Sequence, residues 1–314
     1  MISTELQGPY IQHQVHQKKS FKLLFLKFLF PFYPIKIRHT THLLVLLALM
    51  IAFRIVTQLF SIPLGPTMRI GVTWIPITIM GWIFGPIIGI PLGFLTDTIT
   101  WAMGGGVWFW MYAIQESLIM IVAGIVAGIY HLRLNAKSWI WDLIFNQIVI
   151  VGFLGIGIFS LIYFGKNNFI ENNGKTNNAA NIFGLGIDST QILTATTLAV
   201  FFVVMEIIMF YFLRQHIKHK KNPRLFLYVS LLVPLLSILF SFVMGTISII
   251  ELLNFLSNGR PNNNLINFGA YYYLVPRVLK EIFRDPILIL VIVGVLRLAE
   301  PNLKQIRNKI NNQW

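Results

Sequence analysis

Apolar residues run along this chain in long blocks, and polar residues fall between the blocks or as isolated breaks inside them. From Thr41 to Ile62 the run THLLVLLALMIAFRIVTQLFSI has the roughly twenty residues that a helix rising ~1.5 Å per residue needs to cross a bilayer. It predicts a first spanning helix. Pro63, Gly65 and Pro66 end it, a loop over 63–72 carries Arg69, and apolar sequence resumes at Val72 before breaking again at Gly85-Pro86. Residues 73–84 and 86–103 therefore read as a short helix and its return partner, the second and third helices. Glycines 81, 85, 89 and 93 recur every fourth residue and predict a smooth stripe that lets another backbone approach. After GGGVWFW (104–110), a fourth helix is expected at about 111–131, a fifth at 139–164, a sixth at 191–213, a seventh at 225–250 and a last at about 270–298. The Asn-rich stretch 165–189 lacks periodicity and is expected to be disordered; a second Asn-rich loop precedes the last span.

Composition fixes the solvent. Of 314 residues, 56% are hydrophobic and only 11% charged, against about a quarter charged in a soluble domain, so a polytopic all-α membrane protein is expected. The net charge of +14 is gathered at the ends of the apolar blocks. Residues 1–40 form a basic arm with a short apolar run, Phe21 to Phe32, that reads as an interfacial helix with Lys18, Lys19, Lys22 and Lys27 among headgroups. If the N-terminus is cytoplasmic, then that arm, HLRLNAK, RQHIKHKKNPR and the tail 299–314 all lie inside. The outer loops keep only Arg69, Lys166, Lys175 and Arg260. The result is a multi-pass protein of the cell membrane with about eight helices and both termini in the cytoplasm. The basic residues are not interleaved with aromatics as a nucleic-acid groove needs, so the lipid bilayer, and no nucleic acid, is expected as partner. With no cysteine, disulfides, thiol catalysis and Cys-ligated metals are excluded.

The ionisable residues inside the spans carry the functional signal. Arg54, Asp97, Glu116, Arg277, Lys280, Glu281, Arg284 and Asp285 all fall in the outer half. An ion at bilayer centre costs about 2.5 to 3.5 kcal/mol on insertion scales, so this crowding implies pairing, a wet cavity or both. Arg54 and Asp97 either pair with each other to hold two helices together or face a solute. Arg277, after three tyrosines and Pro276, either grips a ligand carboxylate in bidentate fashion or snorkels to headgroups. Trp74, Trp108 and Trp110 are belt aromatics or stacking plates for a flat heterocycle. Ala48 and Ala52 give a small-residue face suited to a partner helix, as do Gly124 and Gly128. Gly174-Lys175-Thr176 only mimics a phosphate loop, since Phe169 stands where its first glycine belongs. No HExxH, GxSxG or histidine cluster occurs, and no enzymatic activity, bound cofactor or metal is expected.

The ordered features IAFRIV, SIPLGPTMRIG, P-x-x-x-x-G-x-x-FGP-x-x-G and G-x-x-x-D, with VPRVLKEIFRDPILILV in the last span, resemble the substrate-binding S component of energy-coupling-factor vitamin transporters, the folate family in particular. The resemblance covers about residues 41–131 and 270–298. It implies a six-helix core that captures a vitamin, folate or a related compound first and riboflavin or thiamine next, in a pocket near the outer surface. It also implies partners: a transmembrane coupling protein, on which Ala48 and Ala52 would dock, and two ATPases that use ATP. Arg69, Asp97 and Arg277 fall on the family's motif positions. The chain departs from the family at Trp108-Phe109-Trp110-Met111, where a Phe-Pro-Gly turn is usual, and at Glu116, which adds a carboxylate near the pocket. About two surplus helices lie between 138 and 250, where an inserted hairpin is expected. A non-transporting membrane scaffold, in which the charges merely clamp helices, is the rival reading.

Overall fold

The computed structural model describes residues 25–26, 28–31, 37–63, 69–104, 107–134, 138–167, 169–172, 175–178, 187–219, 223–257 and 271–311. Helix is the dominant structure: α1 (Ile37–Leu59), α2 (Trp74–Gly104), α3 (Trp110–Arg133), α4 (Ile140–Asn167), α5 (Ile187–His219), α6 (Arg224–Leu256) and α7 (Tyr271–Asn311). Five stretches, Trp74–Gly104, Trp110–Arg133, Ile140–Phe159, Leu198–Gln215 and Arg224–Leu256, are long and apolar enough to cross a membrane. Within α1 the apolar stretch Leu43–Leu59 is shorter. The bundle's surface is itself apolar, with Leu44, Leu49, Phe145, Ile148, Val203, Ile207 and Phe210 all exposed. Such a surface is far larger than the patches a water-soluble monomer leaves open.

The two predicted arms of 73–103 form one element that folds back at Gly85. There the backbone adopts φ 81° and ψ 174°, a region open essentially to glycine alone, and Pro86 withholds an N–H from the helical ladder. The reversal can be read from α3. A Cβ on Gly81 or on Gly89 would lie within 3 Å of Met120 in both cases, although eight residues of straight helix would separate them by ~12 Å. Farther along the second arm, Gly93 lies against the Ser117 backbone, and at the tip Gly124 faces Gly85 and Pro86. The glycine stripe thus seats both arms on α3. Ser117 Oγ, donating to the Ile90 carbonyl at 2.9 Å, adds a polar tie.

Beside this hairpin, α4 packs on α6, and α5 packs on α4 and α7. Asn146 Nδ2 donates to the Leu227 carbonyl (2.9 Å) and to Ser230 Oγ (2.6 Å), Gln147 Nε2 donates to Glu206 Oε1 (3.1 Å), and Phe153 stacks on Phe201 at 4.8 Å. At the end of the bundle predicted to face the cytoplasm, Asp142 accepts from Arg133 Nε (2.6 Å) and the Tyr228 hydroxyl (3.0 Å), with Arg224 Nε at 3.4 Å.

Three expectations change. The stretch 165–189 is not uniformly irregular: α4 extends to Asn167, Phe169–Asn172 (β3) pairs antiparallel with Lys175–Asn178 (β4), and α5 starts at Ile187. The sequence between the strands, Asn173-Gly174, is a strong two-residue hairpin signal that low hydrophobicity concealed. The loop predicted to lie outside closes on itself through Ile62–Pro63 (β1) and Arg69–Ile70 (β2). The tail is no separate segment, because α7 continues to Asn311; beyond the apolar run, Leu, Lys, Gln and Arg are good helix formers. Of the N-terminal arm, residues 25–26 and 28–29 are helical, whereas Lys18, Lys19, Lys22 and Lys27 lie outside the described residues.

Candidate functional site

The buried charges of the predicted outer half gather into two clusters on either side of Tyr112 in α3. The first joins α1, the second arm of α2 and α3. Arg54, 6% exposed, pairs through Nη2 with Glu116 Oε1, whose other oxygen accepts from Thr96 Oγ1 at 3.0 Å. Of the alternatives left open for Arg54 and Asp97, their pairing with each other is thus replaced by the pairing of Arg54 with Glu116. Thr96 faces α3 and turns Glu116 toward α1, while Asp97, one residue on and about 100° around the helix, is half-buried and takes a hydrogen bond from the Trp108 side chain. Asp97 remains within the electrostatic reach of both Arg54 and Glu116. Gln58 Nε2, reaching the Thr100 carbonyl at 3.4 Å, braces the same junction.

The second cluster lies between α6 and α7. A π-helical turn, Ser237–Met244, interrupts α6 just after Pro234, and such turns recur at functional sites. On α7 the residues at 277, 281 and 285 form one stripe, and each meets a small residue of α6 in antiparallel order. Arg277 lies over Gly245, where a Cβ would come within 2.5 Å of its Nη1; Ser241 Oγ donates to Glu281; and Ser237 Oγ donates to Asp285 Oδ1 at 2.9 Å. Glu281 and Asp285 are both 0% exposed. Lys280 Nζ stands 3.1 Å from Glu281, Arg284 pairs with the same carboxylate, and the Arg284 guanidinium lies 4.1 Å over the Trp74 ring, a cation–π contact. Gln115 Nε2 ties the turn to α3 through the Phe240 carbonyl at 2.8 Å.

Three cations face two carboxylates in this cluster, and Arg277 makes no salt bridge among the described residues. Buried polar atoms are left without hydrogen-bond partners among those residues in both clusters: Arg54 Nε and Nη1 in the first, Arg284 Nε, Asp285 Oδ2, Thr246 Oγ1 and Ser248 Oγ in the second. Buried groups of this kind normally find a protein group, a water or a ligand. Tyr112 connects the clusters, being in electrostatic reach of Arg277 and one helical turn before Glu116.

Of the residues singled out by sequence, Asp97, Trp108 and Glu116 fall in the first cluster, and Trp74, Lys280 and Arg277 in the second. Trp110 is exposed beside Phe109. Arg69 sits in β2, paired with Pro63, and its side chain lies outside the described residues. Ala48 and Ala52 are both exposed on α1, as a docking face requires. Gly124 and Gly128 are instead filled within the chain, the former by the hairpin tip and the latter by Phe28. Sequence reasoning missed Thr96, Tyr112, Gln115, Ser237 and Ser241. Their common signal is a polar residue inside an apolar run facing a charged position on another helix, which needs the fold to be seen.

No family model and no solved structure matches the chain. Among curated proteins, it is 35% identical over 277 residues to "Uncharacterized protein MG313" of Mycoplasma genitalium, covering 88% of this chain and 96% of the relative. It is 32% identical over 291 residues to the "Uncharacterized protein MG313 homolog" of Mycoplasma pneumoniae, covering 91% and 99%. By that identity and coverage, the chain belongs to the family of the mycoplasmal MG313 proteins.

Proposed function

We propose that this chain is the vitamin-binding subunit of an ATP-driven importer of the energy-coupling-factor type, lying in the cell membrane and taking folate or a related compound from outside. The observation that carries the reading is the pair of buried charge clusters flanking Tyr112, with Arg277 beside the π turn making no salt bridge among the described residues. A cation that makes no salt bridge among the described residues, near buried polar atoms lacking partners there, is a ready site for a carboxylate. Glu116, a departure from the family pattern, is no obstacle: Arg54 pairs with its carboxylate and the Thr96 hydroxyl binds its other oxygen, which weakens its repulsion of an anionic ligand. In this reading Trp74, with Arg284 over one face of its ring, and Trp108, bonded to Asp97, are the residues that stack on the heterocycle. A six-helix core carrying two further helices fits the way α4 and α5 pack on each other and along α6 and α7, and the coupling protein with its ATPases supplies the energy.

Arg277→Ala is expected to weaken vitamin binding at least tenfold in the detergent-purified protein while leaving its thermal melting unchanged. Binding at the wild-type affinity would remove Arg277 from the site. Ala48→Trp with Ala52→Trp is expected to abolish co-purification with the coupling protein and leave vitamin affinity intact; undiminished co-purification would contradict the docking face.

A scaffold role is favoured by one feature, the mutual pairing of Arg54 with Glu116 and of Arg284 with Glu281. It predicts that no vitamin binds, and that Arg277→Ala is silent in every assay.

A further inference from the structure

The hairpin of α2 turns within the apolar part of the bundle, and its tip is not left bare. Past the tip, at the end predicted to be cytoplasmic, lies the short segment Phe28–Pro31, which begins within and ends one helical turn closed by Phe30 N–H on the Leu26 carbonyl at 2.8 Å. Pro31 Cδ and the Leu29 carbonyl oxygen press on Gly85, within 2.6 and 2.9 Å of where a Cβ would stand. Phe28 lays its ring on Gly128, two atoms at 2.6 Å from a Cβ position there. Gly124, between them, takes Gly85 and Pro86 themselves. Three glycines on two elements are thus filled by one turn and one four-residue segment.

Physical need explains the arrangement. Where the helix breaks at Gly85, the last carbonyls of the first arm and the first N–H groups of the second lose their intrahelical partners. Irregular backbone at membrane depth persists only where protein covers it or water reaches it. The predicted outer side of the hairpin is occupied by its own arms and α3, so the tip's open side is the one that Phe28–Pro31 covers. The contacts are the Phe28 and Pro31 rings and the Leu29 carbonyl oxygen against glycine, and no ion pair among the described residues has to be broken to part them. The chain N-terminal to them is the basic arm, with Lys18, Lys19, Lys22 and Lys27, a handle on which headgroups or a cytoplasmic protein can pull.

We infer that Phe28–Pro31 is a removable closure of the re-entrant hairpin: seated, it seals Gly85–Pro86 from the cytoplasmic side, and drawn off, it opens the tip to water. This inference does not depend on the vitamin reading, since it concerns backbone accessibility alone.

The test is amide hydrogen exchange of the full chain in lipid nanodiscs. In the wild type the amides of Phe84, Gly85, Ile87 and Ile88 should exchange slowly. In Phe28→Ala with Pro31→Ala they should exchange at least tenfold faster, while Ile119–Ala123 of α3 stay protected. Because the chain has no cysteine, Phe28→Cys with Gly128→Cys offers a second arm: mild oxidation should join the two sites and hold exchange at the tip at or below the wild-type rate. Wild-type exchange at the tip in the alanine variant, or failure of the cysteine pair to join, would overturn the closure. If the alanine variant loses protection throughout, the cysteine pair decides.

Discussion

Gly93→Leu is expected to destroy the seating of α2 on α3 and, with it, most of the protein's resistance to unfolding. A Cβ at position 93 would stand 2.4 Å from the Ser117 N and Cα atoms. These are main-chain atoms in the middle of a helix, not the end of a side chain that can swing away. Overpacking a core that can adjust costs about 1–3 kcal/mol; here both helices must separate, so the loss should exceed that range. Separation would also break the Ser117 tie to the Ile90 carbonyl and the Thr96 hydrogen bond to Glu116, leaving Arg54 facing a displaced partner. The control is Gly152→Val on α4, where a Cβ meets nothing within 4 Å and no loss is expected. Thermal melting and denaturant titration in detergent read both variants. An unaltered melting temperature for Gly93→Leu would mean that the arms do not pack as described.

The second large effect is expected from Glu281→Ala. This fully buried carboxylate receives Lys280, Arg284 and the Ser241 hydroxyl. Removing it leaves Lys280 and Arg284 facing each other across a void, with Asp285 as the cluster's remaining carboxylate among the described residues. Breaking a buried ion pair by deleting one partner costs about 3–5 kcal/mol, because the surviving charge keeps its desolvation penalty and loses its compensation. Glu281→Gln keeps the volume and the oxygen that Ser241 reaches, and should lose less than Glu281→Ala. If glutamine and alanine prove equally harmful, volume is not the difference, and the charge of Glu281 is what the cluster requires. If both are silent, the cluster is open to water and the charges are independent of one another.

Much of this architecture could be read from residue types alone, for reasons particular to each place. Gly85-Pro86 announces its break because few other pairs could occupy that backbone, and the four-residue glycine period announces a close approach. Arg277 could be marked as exceptional because an ionisable group after Pro276 in an apolar span has few inexpensive surroundings. The partner of Arg54 could not be found in this way. Glu116 is 62 residues distant, and only the fold-back of α2 and the orientation of Thr96 decide between it and Asp97. The π turn was equally hidden, for Ser237–Met244 is apolar enough to pass as ordinary helix. Its role emerges when Ser237, Ser241 and Gly245 are seen opposite Asp285, Glu281 and Arg277. The short β3–β4 pairing was misread for the opposite reason: polarity suggested disorder, although the Asn-Gly step between the strands favours a hairpin.

The most direct test of a solute-binding role is to purify the full chain in mild detergent, release what it carries and identify the small molecules by mass spectrometry, with Arg277→Ala prepared in parallel. The account predicts one vitamin-sized compound bearing a carboxylate and a flat ring system, near one per chain in the wild type and strongly depleted in the variant. A wild-type protein that carries only lipid, and binds no folate, riboflavin or thiamine when these are added, would contradict it.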